Sequence, residues 1–372
     1  MTAIDRSATP GEWTLGPFAP PRRILEARVD VTFTCPVSKA SVAWAAKDVF
    51  NAGAVVHDGR VCLLVRAEDS VGRYAGVSRI GLATSSDGVN FDLEPEPVLS
   101  PGDDRWQAWE WPGGLEDPRV VTAPDGTFVC AYTAFDGKVG CLFIATSPDL
   151  RTWTKHGPAF AGSPYARLAT KAGAVVTELV DGQLVATRID GRYWMYWGEG
   201  TLYAATSEDL IRWTPVEADS APDKYLTWDP EQKGPMGHWA LDRVSSPRGL
   251  RALAGPRKHR FDSLLVEAGP PPILTEHGIV LIYNGANHFV DGDPDVAPFA
   301  YQPSQMLFDA RDPTALIARG CEPFLRITQG EAQGQVGNVF FAQGLVAFEG
   351  QWRLYLGLAD SRLGVATAPL GL

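Results

Sequence analysis

One short element recurs five times along this chain of 372 residues: a turn carrying glycine, followed by a brief apolar strand. The turns stand at Asp58-Gly59, Asp125-Gly126, Asp190-Gly191, His277-Gly278 and Glu349-Gly350. Their spacings of 67, 65, 87 and 72 residues are too long for one hairpin and suit a four-stranded sheet. A second element follows three of them: Ala83-Thr-Ser-Ser-Asp87, Ala145-Thr-Ser-Pro-Asp149 and Ala205-Thr-Ser-Glu-Asp209, ahead of Phe91, Trp153 and Trp213. Ser-x-Asp closes a turn through its side chains, so each copy reads as a hairpin. Gly (38) and Pro (29) are frequent and long 3.6-residue apolar stripes are nearly absent, which leaves an all-β chain. Radial repetition protects the edges of five such sheets. The expectation is a single five-bladed β-propeller domain over residues 1–372, with residues 1–45 closing the last blade.

The formal net charge of −11 and the lack of any basic run argue against a nucleic-acid partner and against an anionic membrane surface. With 45% hydrophobic and 21% charged residues, the chain has the apolar mass for a large core. No run approaches the roughly 20 apolar residues of a spanning helix. The first ten residues lack the apolar centre of a secretory signal, so the expected location is cytoplasmic. Cys35, Cys62, Cys130, Cys141 and Cys321 are scattered without metal-ligand spacing and read as reduced thiols; no metal is expected. P-loop, dinucleotide, HExxH and GxSxG patterns are all missing, so no cofactor is expected either.

A polar residue stands at or near the start of the apolar strand that precedes each turn: Asn51, Asp117, Lys171, Glu267 and Asn338. In a propeller these positions converge on one axial cavity. Asp117 lies in Gly-Gly-Leu-Glu116-Asp117-Pro118-Arg119, where the following proline favours extended backbone and a defined carboxylate angle. A plain turn in which Asp117 pairs with Arg119 is the competing reading. Glu267 ends an apolar run and enters Gly-Pro-Pro-Pro; Glu199, Asp360 and Arg66 also end apolar runs. Singly, each is a solvated strand end; together they describe a cavity of carboxylates and guanidinium. Such a cavity suits a neutral polyhydroxylated ligand, since hydroxyls bond both groups and aromatic rings cover the apolar sugar face. Two carboxyls are also the minimum for glycosidic bond cleavage. Trp106, Trp109 and Trp111 read equally as a sugar-stacking loop, as core or as a subunit contact, which leaves a homo-oligomer open.

The segments Gly114-Leu-Glu-Asp-Pro-Arg119, Phe261-Asp-Ser-Leu-Leu-Val-Glu267, Ile282-Tyr-Asn-Gly285 and Leu356-Gly-Leu-Ala-Asp360 resemble, in order, those of glycoside hydrolase family 130. That resemblance implies a five-bladed propeller acting on β-mannosides, by phosphorolysis in some members and hydrolysis in others. It implies that Asp117 is the general acid, passing its proton through a sugar hydroxyl. Asn51, Arg66 and Asp360 match positions that hold the mannose, Arg73 matches a second such arginine, and Lys171 and Asn284 complete the substrate-binding set. Phosphorylases of the family carry a His where this chain has Asn284, and this chain places Glu267 and Glu199 where a phosphate would sit. Two carboxylates there repel a dianion and instead polarise water. The expected activity is therefore exo-acting, inverting hydrolysis of β-1,2-linked mannooligosaccharides, with Glu267 or Glu199 as base. A phosphorylase is the runner-up, and a glycan-binding propeller without turnover stands as a third alternative. The segment from Glu178 to Arg192, with two Asp-Gly turns, departs from the family pattern.

Overall fold

Asp58-Gly59, Asp181-Gly182, Asp190-Gly191 and Glu349-Gly350 all have positive φ, with each non-glycine member at 49°. That is the two-residue turn whose twist matches antiparallel strands. His57 accordingly pairs with Arg60, and Phe348 with Gln351. The Ser-x-Asp turns form as read. Ser85, Ser147 and Ser207 donate to Asp87, Asp149 and Asp209, whose carboxylates accept backbone N–H groups of the residues that follow.

The computed structural model describes residues 12–69, 76–218 and 249–371. The chain is all-β, and among these residues most of the strands fall into five antiparallel groups of four, several of them joined by ladders into one larger sheet. The first holds Asp48–His57, Arg60–Glu68, Ser78–Ser85 and Asp92–Leu93; the second holds Gly114–Thr122, Phe128–Phe135, Gly140–Ser147 and Thr154–Pro158. The third holds Ala174–Val175, Arg192–Trp197, Tyr203–Ser207 and Trp213–Pro215; the fourth holds Leu265–Ala268, Gly278–Ala286, Tyr301–Phe308 and Leu316–Arg319. The fifth holds Phe340–Phe348, Gln351–Leu358 and Arg362–Pro369, and takes its fourth strand, Arg22–Leu25, from the N-terminal region.

Strand alternation explains how the groups pack. Val61, Leu63 and Val65 join a core cluster with Val346 and Leu363 of the fifth group, while Cys62 and Leu64 join one with Val120 and Phe143 of the second. Ile279 and Leu281 face Ala174 and Tyr196 of the third group; Val280 and Ile282 face Phe340 and Leu356 of the fifth. Val129 and Ile144 meet Met195 and Trp213 between the second and third. Both faces of these strands are thus buried, so they read as continuous apolar runs.

The segment that departs from the family pattern forms a hairpin, Thr177–Val180 with Gln183–Ala186. It pairs in parallel with two groups at once, Val185 with Thr122 and Thr177 with Ile273. The first strands of neighbouring groups touch backbone to backbone. A Cβ on Gly53 would lie 2.6 Å from the Pro118 carbonyl oxygen, and one on Gly344 would lie 2.6 Å from that of Ala52.

Backbone cannot retreat as a flexible side chain can, so Gly53→Ala should destabilise the fold by about 1–3 kcal/mol. Gly330→Ala, where an added Cβ meets nothing within 4 Å, should stay within about 0.5 kcal/mol of wild type. Urea unfolding followed by tryptophan fluorescence reads both; equal midpoints would refute the close approach.

Candidate active site

The first strand of the first group slips register between Phe50 and Ala52, and that of the second between Glu116 and Arg119. These bulges hold Asn51 at φ 45° and Asp117 at φ 48°. Left-handed backbone at a non-glycine residue is costly and persists only where surroundings over-determine it. The extended geometry expected for Asp117 ahead of Pro118 is therefore wrong. Its partners hold the bulge against that preference. Asn51 Nδ2 donates to Asp117 Oδ1 at 2.9 Å and Arg66 donates to the same oxygen at 3.1 Å. Nor does the Asp117 carboxylate hydrogen-bond to Arg119, which donates instead to the Asp117 carbonyl at 3.2 Å.

Arg66 is the hub of the acidic side of the site. It donates to Glu68 at 2.7 Å, to Glu116 at 3.0 Å and to Ser78 Oγ at 3.1 Å. Lys171 supplies the second cation, with Nζ 3.7 Å from Asp117, 3.4 Å from Glu199 and 4.0 Å from Glu267. Gly198 N–H donates to the Lys171 carbonyl, which fixes the approach to Glu199. Glu199 and Glu267 are cross-strand neighbours in an antiparallel pair. Like charges in direct opposition destabilise a sheet unless a cation sits between them, and Lys171 occupies that position.

Glu267 is fully buried, and neither of its carboxyl oxygens has a hydrogen-bond partner among the described residues. Arg119, 3.6 Å away, is its second cation. Burial pushes the Glu267 carboxyl up to about 7; Lys171 and Arg119 oppose that rise, and Glu199 and Asp117 add to it. Burial acts on Asp117 too, but Arg66, Lys171, Arg119 and the Asn51 hydrogen bond outweigh it and hold this carboxyl well below the usual range. Asp360, at φ 49° in the turn after Gln351–Leu358, is raised by burial to about 7, with Arg66 opposing and Asp117 adding. Two neighbouring carboxyls with separated proton affinities are the usual equipment of acid–base chemistry.

The structure therefore brings together Asn51, Arg66, Asp117, Lys171, Glu199, Glu267 and Asp360. Asn284 sits opposite Glu267 but spends its amide on backbone: it donates to the Ala342 carbonyl at 2.9 Å and accepts from Ala342 N–H at 2.8 Å. Asn338, read as the fifth member of the ring, is engaged through its backbone with Tyr301 and Ala332. Arg73 lies outside the described residues. Trp106 and Trp109 pack on Phe143 at 5.5 and 5.3 Å, the Arg167 guanidinium lies 4.0 Å over Trp109, and Trp111 packs on the first group's core. Glu68 was missed, although it lies two residues past Arg66 on the same strand face. Gln343, a lone polar residue in Phe340-Phe-Ala-Gln-Gly344, was missed as well; it is buried and donates to the Pro118 carbonyl at 2.8 Å.

A carboxyl raised on folding binds a proton that the unfolded chain has released, so between about pH 4.5 and 7 stability falls as pH rises. Glu267→Gln removes that contribution. The variant's unfolding free energy relative to wild type should therefore improve from pH 5 to pH 8, by on the order of 1–3 kcal/mol. Urea midpoints at the two pH values test this. A constant difference would mean that Glu267 titrates normally.

The profile of glycoside hydrolase family 130, described as beta-1,4-mannooligosaccharide phosphorylase, matches residues 23–233 and 239–371. A 1,2-beta-oligomannan phosphorylase of Thermoanaerobacter sp. (strain X514) is 29% identical over 339 residues, spanning 88% of this chain and 92% of that protein. A glycosyl hydrolase from Bacteroides ovatus is 40% identical with a TM-score of 0.86, over 98% of this chain and 97% of that one. A second structure, 40% identical with a TM-score of 0.87 over 98% and 97% of the two chains, belongs to work on this family. That work describes the mannoside phosphorylases as containing glycoside hydrolases that target beta-1,2 mannosidic linkages in Candida mannan.

Proposed function

The chain belongs to glycoside hydrolase family 130, and we propose that it is an exo-acting, inverting hydrolase releasing mannose from β-1,2-linked mannooligosaccharides. The observation that carries this reading is the Glu199–Glu267 pair around a single lysine. Phosphate as nucleophile would bring two negative charges to a place already holding two carboxyls. At about 4 Å and an effective dielectric of about 20, each pair of unit charges costs roughly 4 kcal/mol. Water carries no such cost, and a carboxyl poised near 7 accepts its proton at neutral pH.

In this mechanism Glu267, with Glu199 beside it, activates water on one face of the sugar, and Asp117 protonates the departing oxygen through a sugar hydroxyl. Asn51, Arg66 and Asp360 hold the mannose ring. The resting site keeps Asp117 ionised, so it takes up a proton from solvent as the substrate binds: a sugar that displaces water deepens the burial already acting on this carboxyl and raises its proton affinity. We read the five strand groups, each sharing a core with its neighbours and the fifth with the first, as the blades of one five-bladed β-propeller domain. Gly182, Gln183 and Leu184 of the inserted hairpin line one narrow space with Val55, Val120, Pro271 and Leu345 at the other end of the first strands, and Leu184 packs on the core that holds Leu345. That packing favours a cavity open at one end and hence attack on terminal residues. Phosphorolysis is the second reading, favoured by the cations Arg66, Lys171 and Arg119 and by the phosphorylase relatives.

With β-1,2-mannobiose, millimolar phosphate should leave turnover unchanged, free mannose should be the product, and the first anomer seen by proton NMR should be α. Mannose 1-phosphate as the main product would overturn hydrolysis. Asp117→Asn should lower kcat about 10²–10⁴-fold with mannobiose binding retained. Unimpaired turnover would remove Asp117 from the chemistry.

A further inference from the structure

Arg119 has no role in the mechanism above, yet it is the side chain that joins the strand carrying Asp117 to the strand carrying Glu267. Its guanidinium is buried and spans three carbonyls: Asp117 at 3.2 Å, Ala268 at 2.7 Å and Gly269 at 2.9 Å. The first belongs to the residue bearing the acid, and the other two directly follow the residue that activates water. The same nitrogen that bonds Ala268 lies 3.6 Å from Glu267 Oε1, and the guanidinium rests 5.8 Å from the Phe341 ring of the fifth group.

We propose that Arg119 is a positioning residue that sets the separation between Asp117 and Glu267, an inference that rests on the reading above. Inverting cleavage needs room for one water, with carboxyls roughly 6.5–9.5 Å apart, and a misplacement of about 1 Å can cost 10²-fold in rate. The strands Gly114–Thr122 and Leu265–Ala268 share no ladder that would fix such a distance. A planar fork of five donors does fix it, because its angles are rigid, whereas an ammonium on a flexible stem reaches one carbonyl at a time. Gln343 acts on the same bulge from the fifth group through the Pro118 carbonyl, without charge. The charged groups that face Glu267 are Lys171 and Glu199 from the third group and Arg119 and Asp117 from the second. Removing Arg119 therefore takes away one of two opposing cations.

The test uses the full chain on β-1,2-mannobiose. Arg119→Lys keeps the charge and loses the fork; kcat should fall about 10²-fold while KM stays within about threefold. Arg119→Gln should in addition move the limb of the kcat–pH profile that reports Glu267 upward by about one unit. Gln343→Leu should lower kcat without moving that limb, and it replaces Arg119→Lys if the latter does not fold. A merely structural arginine would lower the unfolding midpoint but leave kcat and the pH limb of the folded fraction unchanged, and that result overturns the proposal. If the wild type makes mannose 1-phosphate, the hydrolase reading falls, while the same variants, read on that product, still decide the role of Arg119.

Discussion

Several carboxyls buried within reach of one another constrain everything else in this site. Asp117, Glu116 and Glu68 meet on Arg66; Glu199, Glu267 and Asp117 meet on Lys171. Each cation lowers the cost of the acids it touches, but neither touches all of them, so the acids do not behave alike. Asp117 reaches both cations and is held ionised, whereas Glu267 has only the longer contacts and is driven toward neutrality. The difference in proton affinity of the resting site thus follows from which strand ends the cations reach. Left-handed backbone at Asn51 and Asp117 is the local strain accepted to bring those ends together.

The repeats made the architecture legible. The turns at Asp58, Asp181, Asp190 and Glu349 take up positive φ ahead of their glycines, and runs buried on both faces announce sheets covered on both sides; neither depends on distant residues. For the same reason the resemblance to family 130 was readable from four ordered segments and is borne out by the match over most of the chain. The site was legible where a charged residue interrupted an apolar run, as at Arg66, Glu267 and Asp360. It was less legible where partners are backbone atoms of another group. Nothing in the sequence says that Asn284 pairs with Ala342, or that Arg119 spans carbonyls about 150 residues away. Asn338 was read as the ring member of the fifth group because its place in the run matched the other four. That group instead contributes Asp360 and Gln343, one from a turn between strands and one from a bulge.

Glu199 and Glu267 show how much a register pairing adds to two residues that looked independent. They lie 68 positions apart, and the short pairing of Glu199-Gly200 with Val266-Glu267 brings them face to face. From sequence, either one was a candidate base. As cross-strand neighbours around one lysine they set two carboxyls against one cation, and Glu199 adds to the rise of Glu267.

The unpartnered oxygens of Glu267 complete the argument. A buried carboxyl that accepts no hydrogen bond is an expense a fold avoids unless something else arrives to satisfy it. Arg119 and Lys171 are near enough to attract it but too far to bond it, at 3.6 and 4.0 Å. On the hydrolytic reading, the partner of such a carboxyl is a small group that donates a hydrogen bond and carries no negative charge. Water meets both requirements and a phosphate dianion fails the second. The hydrolytic reading proposed above therefore rests on this carboxyl, and the phosphorolytic one on the cations around it.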